Sequence, residues 1–225
     1  MSEIDHSQLS DIYSKRFDVE VHAQRNQLWQ TLCKYWIQRY VPKDATVLDL
    51  AAGYCEFINN IQCAHKIAVD LNEDVVNHAA KDVRVVQNWS NNMNEVASDS
   101  VDVVFVSNFF EHLPSKQAFI ETLREIRRVL KMGGTLLILQ PNILFLNGEY
   151  WDFVDHYLPL TDRTLVEALM LVNMHVDEVR PRFLPYTTRR RIPQSTILVR
   201  IYLAVPLIHR FMGKQAWVVA SKLSH

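Results

Sequence analysis

The sequence predicts an α/β fold: a parallel sheet with helices packed on both of its faces. Three observations predict it. Short apolar runs recur at residues 46–50, 66–71, 83–86, 101–108 and 134–142. Segments with helical length or helical periodicity separate them. The runs, above all "VDVVFVSN" at 101–108, are apolar on both faces, as strands covered on two sides must be. Crossovers in such sheets are right-handed, which distributes the helices to both faces. No linker divides the 225 residues, so one domain is expected.

The elements follow in order. Residues 22–40 place Leu28, Leu32, Tyr35, Trp36 and Ile37 at helical spacing, and Pro42 ends the helix. Residues 1–40 are therefore read as an N-terminal helical cover. "TVLDL" and "KIAVDL" are strands that finish on acids, with a helix-length segment between them. "VRVV" and "VDVVFVSN" are the third and fourth strands. A helix follows, opened by Pro114 and Ser115, with Phe119, Ile120, Leu123, Ile126 and Leu130 as its buried stripe. Gly133 and Gly134 are expected to close it, and "GTLLILQPN" is the fifth strand. Residues 143–160 read as an aromatic lid loop. Thr161 or Asp162 then caps another helix. "MHVDEVRPRFL" and "QAWVVASKL" are the last two strands. Between them, residues 186–212 form an insertion: a basic loop and an apolar helix kinked or split by Pro206.

Composition narrows the classes. A formal charge of −1 gives no reason to expect a nucleic acid or other polyanion as partner. Cys33, Cys55 and Cys63 are an odd number without metal-ligand spacing, so reduced thiols, no metal and a cytoplasmic setting are expected. The first residues lack a signal-peptide pattern, and no apolar run is long enough to span a bilayer.

The stretch "TVLDLAAGYCEFINN" carries the functional signal. In a doubly wound sheet, ligands bind beyond the carboxyl ends of the strands, where strand order reverses. A turn there must let a ligand approach the backbone, and Ala51, Ala52 and Gly53 are small enough to allow it. The helix that follows aims its first amides at the ligand. The first strand carries Asp49, and the second ends on Asp70. A carboxylate at the second position offers two acceptors to the two vicinal hydroxyls of a ribose. The turn lacks the Gly-x-Gly-x-x-Gly that a dinucleotide pyrophosphate needs.

With "IAVDLNED", "DSVDVVFVSNFFEHLP" and "LREIRRVLKMGGTLLILQPN", this stretch resembles the class I S-adenosylmethionine-dependent methyltransferases of small-molecule type, from bacterial sugar and natural-product pathways. The resemblance implies a Rossmann-like, seven-stranded sheet in the order 3-2-1-4-5-7-6, with the last strand antiparallel. It also implies S-adenosyl-L-methionine as cofactor and S-adenosyl-L-homocysteine as product. The family's Asp-x-Gly-x-Gly-x-Gly becomes Asp49, Ala51, Gly53 and Cys55 here, with one glycine of three. A methyl at Ala51 is tolerable at negative φ and costly at positive φ.

By the resemblance, Gly53 lies against the methionine part, Asp70 holds the ribose and Leu71 packs on the adenine. Asn88 substitutes for an acid that accepts from the adenine amino group, and Trp89 either borders the adenine or packs in the core. Asn108 ends the fourth strand, where relatives hold the methionine ammonium. Tyr13 and Arg25 are candidates for the methionine carboxylate.

Methyl transfer to a hydroxyl needs a group to take the proton, and histidine suits that near neutral pH. His156 in "WDFVDHYLPL" is the leading candidate, with Asp155 to orient or replace it. His112 in "FFEHLP" is the second. Phe145, Tyr150, Trp151, Phe153 and Tyr157 suit a planar or sugar-like acceptor. Arg180, Arg182, Arg189, Arg190 and Arg191 form either an anion site or a solvated loop. The apolar segment beside them suits packing on the sheet, a second copy of the chain, or a membrane surface presenting a lipid-linked acceptor. The expected function is O-methylation of a sugar, glycoconjugate or natural product. N- or C-methylation and a non-catalytic cofactor-binding subunit are the alternatives.

Overall fold

The structure, a computed structural model, describes residues 19–186 and 195–223. Seven strands form one sheet: β1 (Thr46–Leu50), β2 (His65–Asp70), β3 (Val83–Gln87), β4 (Val101–Ser107), β5 (Leu130–Pro141), β6 (His175–Arg180) and β7 (Gln215–Ser221). Their spatial order is β3-β2-β1-β4-β5-β7-β6. The first five pair in parallel, and β7 runs antiparallel to both β5 and β6. From β1 the chain steps outward to β2 and β3, then returns to β4 on the other side. The reversal therefore lies between the carboxyl ends of β1 and β4.

Side-chain alternation along the strands builds two cores. Leu48, Leu50, Val69, Val104, Val106 and Ile138 point to one face. There they meet Phe119, Leu123 and Ile126 of the helix Lys116–Val129 and Leu165 and Leu169 of the helix Asp162–Leu171. Val47, Ala68, Val103, Phe105, Leu137 and Trp217 point to the other face. They are covered by Leu32 and Cys33 of α1 (Val19–Tyr35), Phe57 and Ile58 of α2 (Glu56–Asn60), and Leu203 of a helix near the C-terminus. The period of two along each strand is what makes both faces apolar in sequence. Burial of each such side chain contributes roughly 1.5–3 kcal/mol.

Local chemistry fixes the ends. With α3 at Val75–His78, the helix Lys116–Val129 is α4, and Ser115 caps it by accepting from the Ala118 amide at 3.1 Å. Thr161, not Asp162, caps α5 (Asp162–Leu171), accepting from the Thr164 amide at 3.1 Å. The apolar segment is split at Val205 and Pro206 into α6 (Thr196–Ala204) and α7 (Pro206–Met212). It packs Leu203 and His209 inward and leaves Ile197, Leu198, Ile201, Leu207 and Phe211 exposed.

Three expectations are corrected. The first helix ends at Tyr35, and a 3-10 turn at Ile37–Tyr40 completes the span to Val41. The segment between β1 and β2 holds only the short α2, because the turn before it consumes residues 51–55. Gly133 and Gly134 do not close α4. The helix stops at Val129, and Leu130 already pairs with Val101; the glycines form an irregularity inside β5. The loop after β5 also carries two 3-10 turns, Ile143–Phe145 and Glu149–Asp152. No helix among the described residues is long and apolar enough to cross a membrane.

Candidate functional site

The turn after β1 lies at the reversal. Ala51, Gly53 and Cys55 have φ of 58°, 51° and 57°, so the left-handed conformation recurs at every second residue. The positions that carry glycine in the Asp-x-Gly-x-Gly-x-Gly pattern are thus left-handed here, two of them with side chains. Ala51 and Ala52 donate their amides to the Val69 carbonyl at 2.8 and 3.3 Å, which pins the turn against β2. Gly53 donates its amide to Oδ2 of Asp70 at 2.8 Å, and Asn72 donates to Oδ1 at 2.8 Å. The carboxylate is thereby fixed at the end of β2, beside the turn. A Cβ added to Gly53 would meet nothing within 4 Å, so open space lies over this glycine.

Asp49 sits beneath the turn, 4% exposed. Burial raises its carboxyl well above the ordinary range, the charges of Asp70 and Glu56 add to this, and a hydrogen bond from the Ile58 backbone opposes it. The Cys55 thiol is pushed up to about 12 by burial and then by Asp49 and Asp70, so it is an inert thiol that fills the core. Arg25 donates to the Glu56 carboxylate at 2.8 and 3.0 Å and stands 5.6 Å from the Tyr54 ring. Its charge lies over the start of α2, already coupled to an acid. Tyr13 lies outside the described residues.

The other cofactor candidates line the same edge of the sheet. Asn88 follows β3; its amide donates to the Asp70 carbonyl at 3.1 Å, and its Oδ1 accepts from the Trp89 amide at 2.8 Å. Trp89 is 54% exposed and so is not a core aromatic. Leu71, half-buried, accepts at its carbonyl from Gln87 at 3.3 Å. Asn108, at φ 48°, follows β4 directly and donates its amide to the Leu139 carbonyl at 2.9 Å.

A second cluster lies beyond the ends of β4 and β5, on the other side of the reversal. Glu111 and His112 stand on the 3-10 turn Phe110–His112 after β4. Asp155 and His156 come from the loop after β5. That loop is tied to the turn by the Tyr157 and Leu158 amides, which donate to the Glu111 carbonyl at 2.8 and 3.1 Å. His112 and His156 meet ring to ring, 4.9 Å between centroids. Nδ1 of His112 contacts the Asp155 carbonyl at 3.0 Å and its carboxylate at 3.3 Å. Nδ1 of His156 contacts the Tyr150 carbonyl at 2.7 Å. Glu111 is 1% exposed and accepts from the Gln140 side chain at 2.8 Å. Burial raises the Glu111 carboxyl. Burial pulls the His112 imidazole down, but Asp155 and Glu111 outweigh it and hold the ring above its ordinary value.

The structure brings together His112, Asp155 and His156, which the sequence offered as alternative candidates, and it places the Asp155 carboxylate against His112 and not against His156. Sequence reasoning missed Glu111 and Gln140. The signal for Glu111 was its place beside His112, one residue from the end of a turn that aims both at the sheet edge. The arginine cluster divides: Arg180 donates to Glu178 at 2.5 Å, and Arg182 donates to the Gly213 and Phe211 carbonyls at 2.8 Å, so both brace the fold. Arg189, Arg190 and Arg191 lie outside the described residues.

Comparison with known proteins agrees with this geometry. Residues 48–138 match a family model described as a methyltransferase domain. A SAM-dependent methyltransferase from Archaeoglobus fulgidus superposes with a TM-score of 0.64 at 21% identity, over 88% of this chain and 94% of that one. A SAM-dependent methyltransferase from Thermotoga maritima gives 0.64 at 16% identity, over 96% of each chain. A methyltransferase from Haloferax volcanii, solved in complex with the Trm112 activator, gives 0.65 at 18% identity, over 91% and 93%. No curated protein sequence matches the chain. At these identities the structural likenesses establish the fold. Residues 48–138 thus match a methyltransferase domain, and the strand order and the turn are those that the resemblance to the class I S-adenosylmethionine-dependent methyltransferases implies. The matched stretch runs from β1 through most of β5 and so contains the turn, Asp70 and the Glu111–His112 turn, while Asp155 and His156 lie beyond it.

The residues present fit the cofactor of this class. The open space over Gly53 admits a ligand against the backbone, and the anchored Asp70 carboxylate meets a diol with two oxygens.

Proposed function

We propose that this methyltransferase acts on a hydroxyl of a small molecule: a sugar, glycoconjugate or natural product. The observation that carries the reading is the His112–His156 pair. It sits on the β4–β5 side of the reversal, across from the Asp70–Gly53 turn. In this reading, Asp70 binds the ribose, Gly53 lies under the methionine part, and Leu71, Asn88 and Trp89 border the adenine. Asn108 faces the ammonium, and Arg25 and Tyr13 cover the carboxylate end. Bound there, S-adenosylmethionine supplies a methyl group on an already activated sulfonium. The protein's task is alignment and proton removal. The contact of His156 Nδ1 with a carbonyl, which only accepts, sets the tautomer with hydrogen on Nδ1 and the lone pair on Nε2. That lone pair receives the acceptor's proton. Exposed Trp151 and Tyr157, with half-buried Phe153, give the lid aromatic surface for a sugar-like ring.

Two substitutions test the two halves separately. Asp70→Ala is expected to weaken binding of S-adenosylhomocysteine at least about tenfold by calorimetry, the loss of a hydrogen-bonded charge. Unchanged affinity removes the cofactor assignment. His156→Ala is expected to keep that affinity and lower kcat about 10²–10⁴-fold, the usual contribution of a positioned proton acceptor. Near-full turnover at saturating cofactor would sink the hydroxyl reading and leave N-methylation. The left-handed Ala51 and Cys55 favour one further reading, a non-catalytic cofactor-binding subunit. Tight binding with no transfer to any sugar or natural-product acceptor is its signature.

A further inference from the structure

Glu111, His112 and His156 each offer one ligand atom, and the three atoms lie within 4.8 Å of one another. We propose that these side chains hold a divalent transition-metal ion, with Zn²⁺, Co²⁺, Mn²⁺ and Fe²⁺ as the chemical class. The inference rests on the reading of this cluster as the acceptor side of the site.

The geometry supplies more than a coincidence of donors. Three ligand atoms sharing one such ion sit about 2.0–2.2 Å from it and about 3.3–3.8 Å from one another, so closure draws the widest pair together by about 1–1.5 Å, shared between two side chains. Both histidines turn Nδ1 toward a carbonyl, at 3.0 Å on Asp155 and 2.7 Å on Tyr150. A carbonyl accepts only, so Nδ1 carries the hydrogen and Nε2 is the ligating nitrogen in each ring. The Asp155 carboxylate, 3.3 Å from Nδ1 of His112, completes the carboxylate–histidine arrangement that fixes metal-bound imidazoles. Gln140 does the same for Glu111, donating to one carboxylate oxygen at 2.8 Å. Each of the three ligands therefore has its own orienting partner.

The donor set is two imidazoles and one carboxylate, which suits mid-to-late first-row divalent ions. Three protein ligands leave coordination positions open, the mark of a catalytic rather than a structural site. An acceptor hydroxyl in such a position acidifies, as metal-bound water does. His156 would then act as a ligand and not as the base: the cation would lower the pKa of the bound hydroxyl, whose proton would leave to solvent water, and the alkoxide would take the methyl group as S-adenosylhomocysteine departs. Sequence spacing gave no hint, because the ligands come from two different loops joined only by the fold.

The test uses the full chain, stripped with a chelator and titrated with Co²⁺ alone. The expected result is one equivalent bound, with visible ligand-field bands that Zn²⁺ abolishes by competition. His156→Ala is expected to lose the bands, and Asp155→Asn to weaken Co²⁺ affinity about 10–100-fold, the usual effect of removing an orienting partner. Binding of S-adenosylhomocysteine, measured by calorimetry on the same samples, should be unaffected and certifies folding of each variant. Substoichiometric Co²⁺ without bands in wild-type protein that binds S-adenosylhomocysteine overturns the metal site and leaves the methyltransferase reading standing. Stoichiometric Co²⁺ with the bands in protein that fails to bind S-adenosylhomocysteine supports the site and overturns the cofactor reading instead.

Discussion

Ala51 shows how a single backbone angle decides the meaning of a residue. Its identity and position were readable in the sequence, and so was the rule that its methyl is costly only at positive φ. The angle itself was not, because it is set by two amides converging on the Val69 carbonyl from the neighbouring strand. At φ 58° the side chain costs about 1–2 kcal/mol relative to a relaxed conformation. Glycine removes that strain but brings an unfolded-state entropy cost of about 0.5–1 kcal/mol. Ala51→Gly is therefore expected to raise stability by up to about 1 kcal/mol in urea unfolding, with an unchanged m-value. A destabilised variant would mean that the Ala51 methyl makes packing contacts worth more than its strain. Cys55 is a different case at nearly the same angle, φ 57°, because its buried side chain fills the core against Val75. The same replacement there would open a cavity, so no gain is expected. Asp70 was legible as the acid beside the turn because its place depends on one strand end. The coupling of Asp155 to His112 was not, since nothing in the local sequence records which ring the folded loop brings to it.

Elements were legible where period and punctuation agreed. β1 through β4 and the stripe Phe119, Leu123, Ile126 of α4 follow from apolar spacing alone. The C-terminal end of α4 did not follow, and the reason is tertiary. Lys131 donates to both Asp102 oxygens at 2.8 Å, and Lys222 donates to the Leu130 carbonyl at 2.8 Å, so the chain is already captured by the sheet edge before the glycines arrive. A glycine pair reads as a helix stop in sequence, yet here it serves close approach. A Cβ on Gly134 would lie 2.8 Å from the Lys131 carbonyl oxygen and 3.2 Å from that of Asp102, both backbone atoms with little freedom to move. Gly134→Ala is expected to cost about 1–3 kcal/mol, the range for overpacking. Thermal unfolding monitored by circular dichroism checks it. A Tm within error of wild type would show that the irregularity in β5 relaxes freely.

At the scale of the molecule, the strand order was legible only through the family resemblance, since hydrophobic pattern fixes strands but not their neighbours. The acids and small residues at the strand ends are gathered on one edge, because the topology puts those ends together there. That edge gathers negative charge: Asp49, Asp70 and Glu56 lie close enough to raise the Asp49 carboxyl, with burial as the larger cause. The consequence for stability follows from linkage. A carboxyl whose folded-state pKa exceeds its unfolded value of about 3.9 binds its proton more tightly when folded. Its contribution to stability is fully present below pH of about 4 and is lost as pH rises toward the folded-state value. Buried Asp49 thus costs stability at neutral pH, and an uncharged isostere escapes that cost while still accepting from the Ile58 backbone. Asp49→Asn is expected to be more stable than wild type at pH 7 and to lose that advantage as the pH is lowered to about 4, where both carry a neutral group. Urea unfolding at the two pH values measures the difference. Equal destabilisation at both would show that Asp49 is held by hydrogen bonds that the amide cannot copy, and that its ionisation contributes nothing to the pH dependence of the fold.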